Sequence, residues 1–128
     1  MTEEIHYVKA DPSGNTTILV LDAVPKQEHA SLAARLLQPE CVGAEQVGFL
    51  TWPDKEADVR LDMMGGEFCG NASRSAAAYL LSRSGQDHGE YRISCSGCNK
   101  ILKAVVVRDE GELYDASIEV PLPRKMDI

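Results

Sequence analysis

The segment GGEFCGNASRSAAAYLL, residues 65–81, sets a thiol and an amide at the head of a run that is apolar over residues 76–81. That change of character predicts a helix beginning near Cys69. Its opening turn, with Gly70, Asn71, Ser73 and Arg74, is polar, and its body should be buried. A helix N-terminus presents unpaired N–H groups and the positive end of the backbone dipole, which suit a carboxylate. The same positive end favours a thiolate over a thiol. An amino acid held by its carboxylate on the N–H groups after Gly70 and Asn71 would bring its α-carbon beside the sulfur. A thiol so placed can move a proton next to a carboxylate. Nucleophilic attack is the other chemistry open to Cys69, but His6, His29 and His88 offer no partner by motif and read as solvated or structural. As a residue type alone, Cys69 is as well explained by packing, because free cysteine behaves as a small apolar side chain. Gly65, Gly66 and Gly70 favour the ligand reading, since glycines let a ligand approach the backbone closely.

A second pair of thiols, Cys95 and Cys98 in SCSGC, has the C-x-x-C spacing of a redox pair or of half a zinc site. A structural zinc site needs four ligands, and only Cys41 or a distant histidine is left to complete it. A redox pair should open a helix, whereas the residues flanking this motif are strand-like. The plain reading is a turn with two incidental thiols.

These residues need a scaffold, and the rest of the chain supplies mostly strands. Residues 5–9 and 16–22 read as strands around the turn DPSGN. Ala30, Ala33, Leu36 and Leu37 share one face of an amphipathic helix that stops before Pro39. QVGFLTWP and DVRLDMM read as a strand pair, and YRISCSG, KILKAVVVRDEG and LYDASIEVPLP as three further strands, with Gly111 in the last turn. The fold class is therefore α+β, a strand-rich barrel around one central buried helix.

A length of 128 residues suits one domain, 1–128, with a modest core. The net charge of −7 argues against a nucleic-acid surface or a polybasic membrane contact, both of which need clustered Lys and Arg. No apolar stretch approaches the roughly 20 residues of a membrane span. The acidic start MTEEIHYVKADP lacks the basic and apolar regions of a secretory signal, so the expected location is the cytoplasm. There the four cysteines are thiols rather than disulfides.

CGNASRS, residues 69–75, resembles the cysteine motif C-G-N-G-x-R-C of the diaminopimelate epimerase superfamily, and SGNTTILVLD, residues 13–22, resembles its N-terminal G-N-D-F segment. SIEVPLP resembles the strand that closes the family's first lobe. The resemblance implies a cofactor-independent racemase or epimerase of free amino acids, without PLP or metal, built from two similar lobes with the site between them. One cysteine from each lobe works on opposite faces of the α-carbon. Carried onto this sequence, Cys69 is the first-lobe acid/base, Asn15 touches the substrate, and Gly70 with Asn71 grips its α-carboxylate. Ala72 and Ser75 replace the motif's second glycine and second cysteine, and LDMMGGEF lacks the family's substrate-contacting asparagine. These departures point away from diaminopimelate, while YVKADPSGNTT and GGEFCGNA look more like the histidine-racemase branch. Glu67 either recognises a distal group of the substrate or is simply solvated.

The second catalytic cysteine is missing, since no further CGTG-like motif follows. The chain is thus expected to be the N-terminal lobe of a two-lobe enzyme, inactive alone, whose partner is a second lobe or a second protomer. A homodimer would be one such arrangement. One other reading stays open, a non-catalytic binding or assembly module, while Cys69 argues against the related isomerase branch, which uses a carboxylate base and has a histidine at the corresponding position.

Overall fold

The computed structural model describes residues 4–12, 16–38, 44–53, 56–111 and 113–119. Seven strands form one sheet in which neighbours in the chain are neighbours in space: β1 (Tyr7–Ala10), β2 (Thr17–Val20), β3 (Gln46–Thr51), β4 (Val59–Met63), β5 (His88–Cys95), β6 (Leu102–Glu110) and β7 (Leu113–Ile118). Four of the six pairings follow from the turns predicted above or from simple reversal. β2 with β3 and β4 with β5 are parallel, and all other pairs are antiparallel. A parallel neighbour needs a crossover, and helices supply both: α1 (His29–Leu36) and α2 (Gly70–Ser84). Strand direction reverses between β3 and β4. Crossovers of one hand therefore send the two helices to opposite faces of the sheet.

The side-chain alternation agrees. On β2 and β3, Ile18, Val20, Val47 and Phe49 face α1 and pack with Ala33 and Leu36. Leu19 and Leu50 face the other way, into a larger core with Leu61, Met63, Ile93, Leu102, Ala104 and Val106 around Ala72, Ala76, Ala77 and Leu81 of α2. Covered on both sides, β2 has to be apolar at nearly every position, as TILV is. Gly48 on β3 has a packing reason, because a Cβ there would stand 2.6 Å from Leu61 Cδ1 and 3.2 Å from Met63 Sδ.

The strand-rich half-barrel around a central helix matches the expected α+β class, and two details correct it. First, α2 is not buried on every side. Ala72, Ser73, Ser75, Ala76, Ala77 and Leu81 are buried, but Ser82, Arg83 and Ser84 are exposed and Ala78, Tyr79 and Leu80 only half-covered. The reason is that the sheet curls past the helix without meeting itself. Between its two edges, β1 and β7, a cleft of about 730 Å³ opens onto Arg74, Ser75, Ala78, Tyr79 and Ser82 of α2. Second, Ala30 is exposed and His29 takes its place on the inner face of α1, stacked on Phe49 with ring centroids 3.8 Å apart. The stack, together with a hydrogen bond to Val24 O at 3.0 Å, makes His29 a structural residue.

Leu81 is fully buried where α2 meets the strands, so Leu81→Ala should cost about 2–5 kcal/mol of stability. Val107→Ala, on the exposed face of β6, should stay within about 0.5 kcal/mol. Urea unfolding of both variants checks the contrast.

Candidate active site

Cys69 is the N-cap of α2. Its backbone is extended, at φ −136° and ψ 111°, and its sulfur accepts the N–H of Ala72 at 3.4 Å. Its carbonyl accepts both the N–H of Ser73 at 3.0 Å and the Ser73 hydroxyl at 2.9 Å. Serine, threonine, aspartate and asparagine cap helices better than a thiol does. Sulfur at this position is therefore not explained by the helix's own needs.

Between Cys69 and Ala72 lie two more donors. Among the described residues nothing accepts from the N–H groups of Gly70 and Asn71, the helix-end donors that suit a carboxylate. Gly70 adds no side chain there, and a Cβ built on it would meet nothing within 4 Å. The Asn71 carboxamide accepts from Arg74 one turn along, which leaves its NH2 as the free donor end. Three of the predicted site residues, Cys69, Gly70 and Asn71, therefore come together at one helix mouth. Asn15 lies outside the described residues, as does Cys41.

The sulfur has another neighbour that the sequence reading missed. The thiol donates to Gln46 Oε1 at 3.3 Å, and the Gln46 amide NH2 in turn donates to Thr17 Oγ1 at 3.1 Å. Thr17 is fully buried, so this contact anchors the Gln46 side chain beside the sulfur. Gln46 Oε1 can accept only while the sulfur carries its proton, whereas the Ala72 N–H serves the sulfur in either state. The sequence held a faint signal: an amide opens an otherwise apolar strand, QVGFL, whose β3 runs beside β2 with Thr17 opposite Gln46.

The remaining candidates separate from this mouth. His6 pairs with Asp22, and the backbone N–H and ring of His6 hold that carboxyl below its ordinary value. His88 is the exposed first residue of β5. Glu67 is exposed yet not simply solvated, since its carboxylate turns back to accept the N–H of Gly65 at 3.1 Å. Cys95 and Cys98 are free thiols in unlike settings. Cys95 is buried in the core beside the Ser73 hydroxyl, and Cys98 donates to Lys100 O at 3.4 Å. No group of three or more His, Cys, Asp or Glu able to hold a metal occurs among the described residues. No described helix is long and apolar enough to cross a membrane. The larger cleft runs along the side of α2 and takes in Arg74 and Ser75 but not Cys69.

A family model described as the histidine racemase CntK N-terminal domain matches residues 4–128. The chain belongs to that family. It is 36% identical to a histidine racemase of Fusobacterium nucleatum across 97% of its own length and 45% of that protein's. It is equally 36% identical to a histidine racemase of Staphylococcus aureus across 80% of its length and 38% of that protein's. The chain thus spans less than half the length of these relatives. Its fold is similar to that of methylitaconate-delta-isomerase, with a TM-score of 0.60 at 17% identity over 86% of this chain and 62% of that one.

Burial pushes the Cys95 thiol above its ordinary value of 9.0, against a smaller downward pull from Ser73. The folded protein then holds that proton more tightly than the unfolded chain does. Stability from this group is complete below the unfolded thiol's value and is lost as pH rises past it. Urea midpoints measured from about pH 8 to about pH 10 should fall with rising pH. In Cys95→Ala that fall should be shallower by the share of one proton.

Proposed function

We propose that this chain is one lobe of a cofactor-independent amino-acid racemase acting on histidine or a close analogue, with Cys69 as the acid/base. The observation that carries the reading is the helix mouth, where a thiol caps α2 next to the two open N–H groups of Gly70 and Asn71. The substrate's α-carboxylate sits on those N–H groups, and Asn15 makes a further contact with it. The Cys69 thiolate takes the α-proton, and the electron pair left on the α-carbon spreads into the carboxylate. The charge that develops there faces the positive end of α2, donors already in place before the reaction starts. A proton delivered to the opposite face completes the inversion and leaves the substrate otherwise unchanged. That proton comes from a second lobe or a second protomer, whose own thiol then needs the proton that Cys69 has taken up. No PLP and no metal takes part in this scheme.

Membership of a histidine racemase family and the similarity to histidine racemases from two organisms support the substrate class. The half-length coverage supports the two-lobe arrangement. Neither lobe inverts a centre alone, because acid and base must lie on opposite faces.

Solvent deuterium incorporation into L- and D-amino acids, with histidine and diaminopimelate among them, tests the proposal. It should be run on this chain alone and on the complete translation product of its gene. Exchange should appear with histidine and the complete product only. Cys69→Ala and Cys69→Ser should each lower it by about 10²–10⁴-fold. Cys69→Ser should unfold at the same temperature or higher, because serine is the better cap. Full exchange in both variants would remove Cys69 from the reaction.

A further inference from the structure

The strand β5 ends at Cys95, and the turn that follows, SGC, crosses directly beneath the loop leading into Cys69. Ser96 is buried, and both its N–H and its hydroxyl are hydrogen-bonded. Its N–H donates to Leu61 O at 2.9 Å, its hydroxyl accepts the N–H of Met63 at 2.9 Å, and the same hydroxyl donates to Glu67 O at 2.6 Å. It therefore ties the end of β4 to the carbonyl two residues before Cys69. Gly97 acts on the same peptide bond from its other end. A Cβ built on Gly97 would stand 2.8 Å from Glu67 C, 2.3 Å from Phe68 N and 2.9 Å from Phe68 Cα. Its φ of +73° is a second reason for glycine. The Glu67–Phe68 peptide is thus hydrogen-bonded at its oxygen and packed against at its nitrogen. Cys95, the residue before Ser96, is buried in the core that α2 packs on.

We propose that residues 95–97 are the positioning element of the Cys69 thiol, setting the direction in which the chain enters the N-cap and so where the sulfur stands relative to the open N–H groups of α2. This rests on the reading of Cys69 as acid/base. It also gives the SCSGC motif a role other than metal binding or redox exchange. The loop of residues 64–68 is held at its two ends, by Met64 N–H on Val47 O at 3.0 Å and by the packing of Met64 and Phe68 against the cores. Gly65, Gly66 and Glu67 between them are exposed, with only the turn from Gly66 N–H to Met63 O and the Glu67 contact to Gly65. Without the turn beneath it, the sulfur would lose its fixed relation to Gln46 and to the helix end. The substrate's carboxylate would keep its donors, because Gly70 and Asn71 belong to the helix itself.

The prediction separates turnover from binding. In the complete gene product, Ser96→Ala and Gly97→Ala should lower kcat for deuterium exchange on the order of 10²-fold, the loss expected from a misplaced reacting group. KM should stay within about threefold, as uniform binding by the helix mouth is untouched. Gly111→Ala is the control. That glycine also has a positive φ, +59°, but its added Cβ would meet nothing within 4 Å. It should leave both constants unchanged.

A second readout does not depend on activity. In amide and thiol-carbon NMR spectra, Ser96→Ala and Gly97→Ala should move the Cys69 and Ala72 signals, and Gly111→Ala should not. If Gly97→Ala does not fold, Ser96→Ala, which removes one hydroxyl, decides. Wild-type exchange with kcat retained in Ser96→Ala and Gly97→Ala overturns the positioning role and leaves the racemase reading standing. If the wild type shows no exchange, the racemase reading falls, and the spectra alone decide: signals that move keep the positioning role, and unmoved signals overturn it.

Discussion

The backbone donors at the start of α2 are the constraint on which the rest of this structure turns. A helix laid against the inner face of a curled sheet has its N–H groups at one end cut off from any intrahelical partner. Here Ser73 is served by Cys69 O and Ala72 by Cys69 Sγ, while Gly70 and Asn71 are left to meet whatever arrives. The order of residues decides this division. A glycine at the first helical position keeps the approach clear, and a thiol in place of a hydroxyl at the cap gives up capping strength for a group that can carry a proton.

Holding such a mouth in place is work for the sheet. β3 contributes Gln46, which reaches the sulfur from the side, and β2 contributes Thr17, which holds the Gln46 amide. The β4 end and the β5 turn contribute Met63 and Ser96, which grip the incoming loop from below. Because β4 and β5 are parallel neighbours, the turn after β5 and the loop after β4 emerge at the same end of the sheet. The connection from β4 to β5 is α2 itself. One topological choice thus brings the cysteine, its loop and the turn beneath it to one end of the sheet.

The elements were legible in the sequence wherever pattern alone decides. The β3–β4 pair, the three late strands and the start of α2 at Cys69 appear as read, since period-two alternation and a capped helical run are local signals. The face of α1 was misjudged by one residue. Histidine is not apolar in a simple pattern, yet its ring stacks well on a phenylalanine it meets only across the sheet. The exposure of Tyr79 and Leu80 was illegible for the opposite reason. An apolar run says that a helix seeks cover, not whether the sheet is wide enough to give it on every side.

What the sequence determined by itself is a local arrangement: a cysteine at the cap of a helix that opens on Gly70 and Asn71, all within residues 69–84 and all set by local rules of helix ends. The tertiary structure decided which distant groups attend that thiol. Gln46 is 23 residues away and Ser96 lies 29 residues past Glu67. No local pattern links such positions, because their meeting depends on which strands run parallel and on the end of the sheet at which their connections fall. The same physics turned C-x-x-C, a motif with two familiar meanings in sequence, into a turn whose middle residues, Ser96 and Gly97, matter through the one peptide bond they hold.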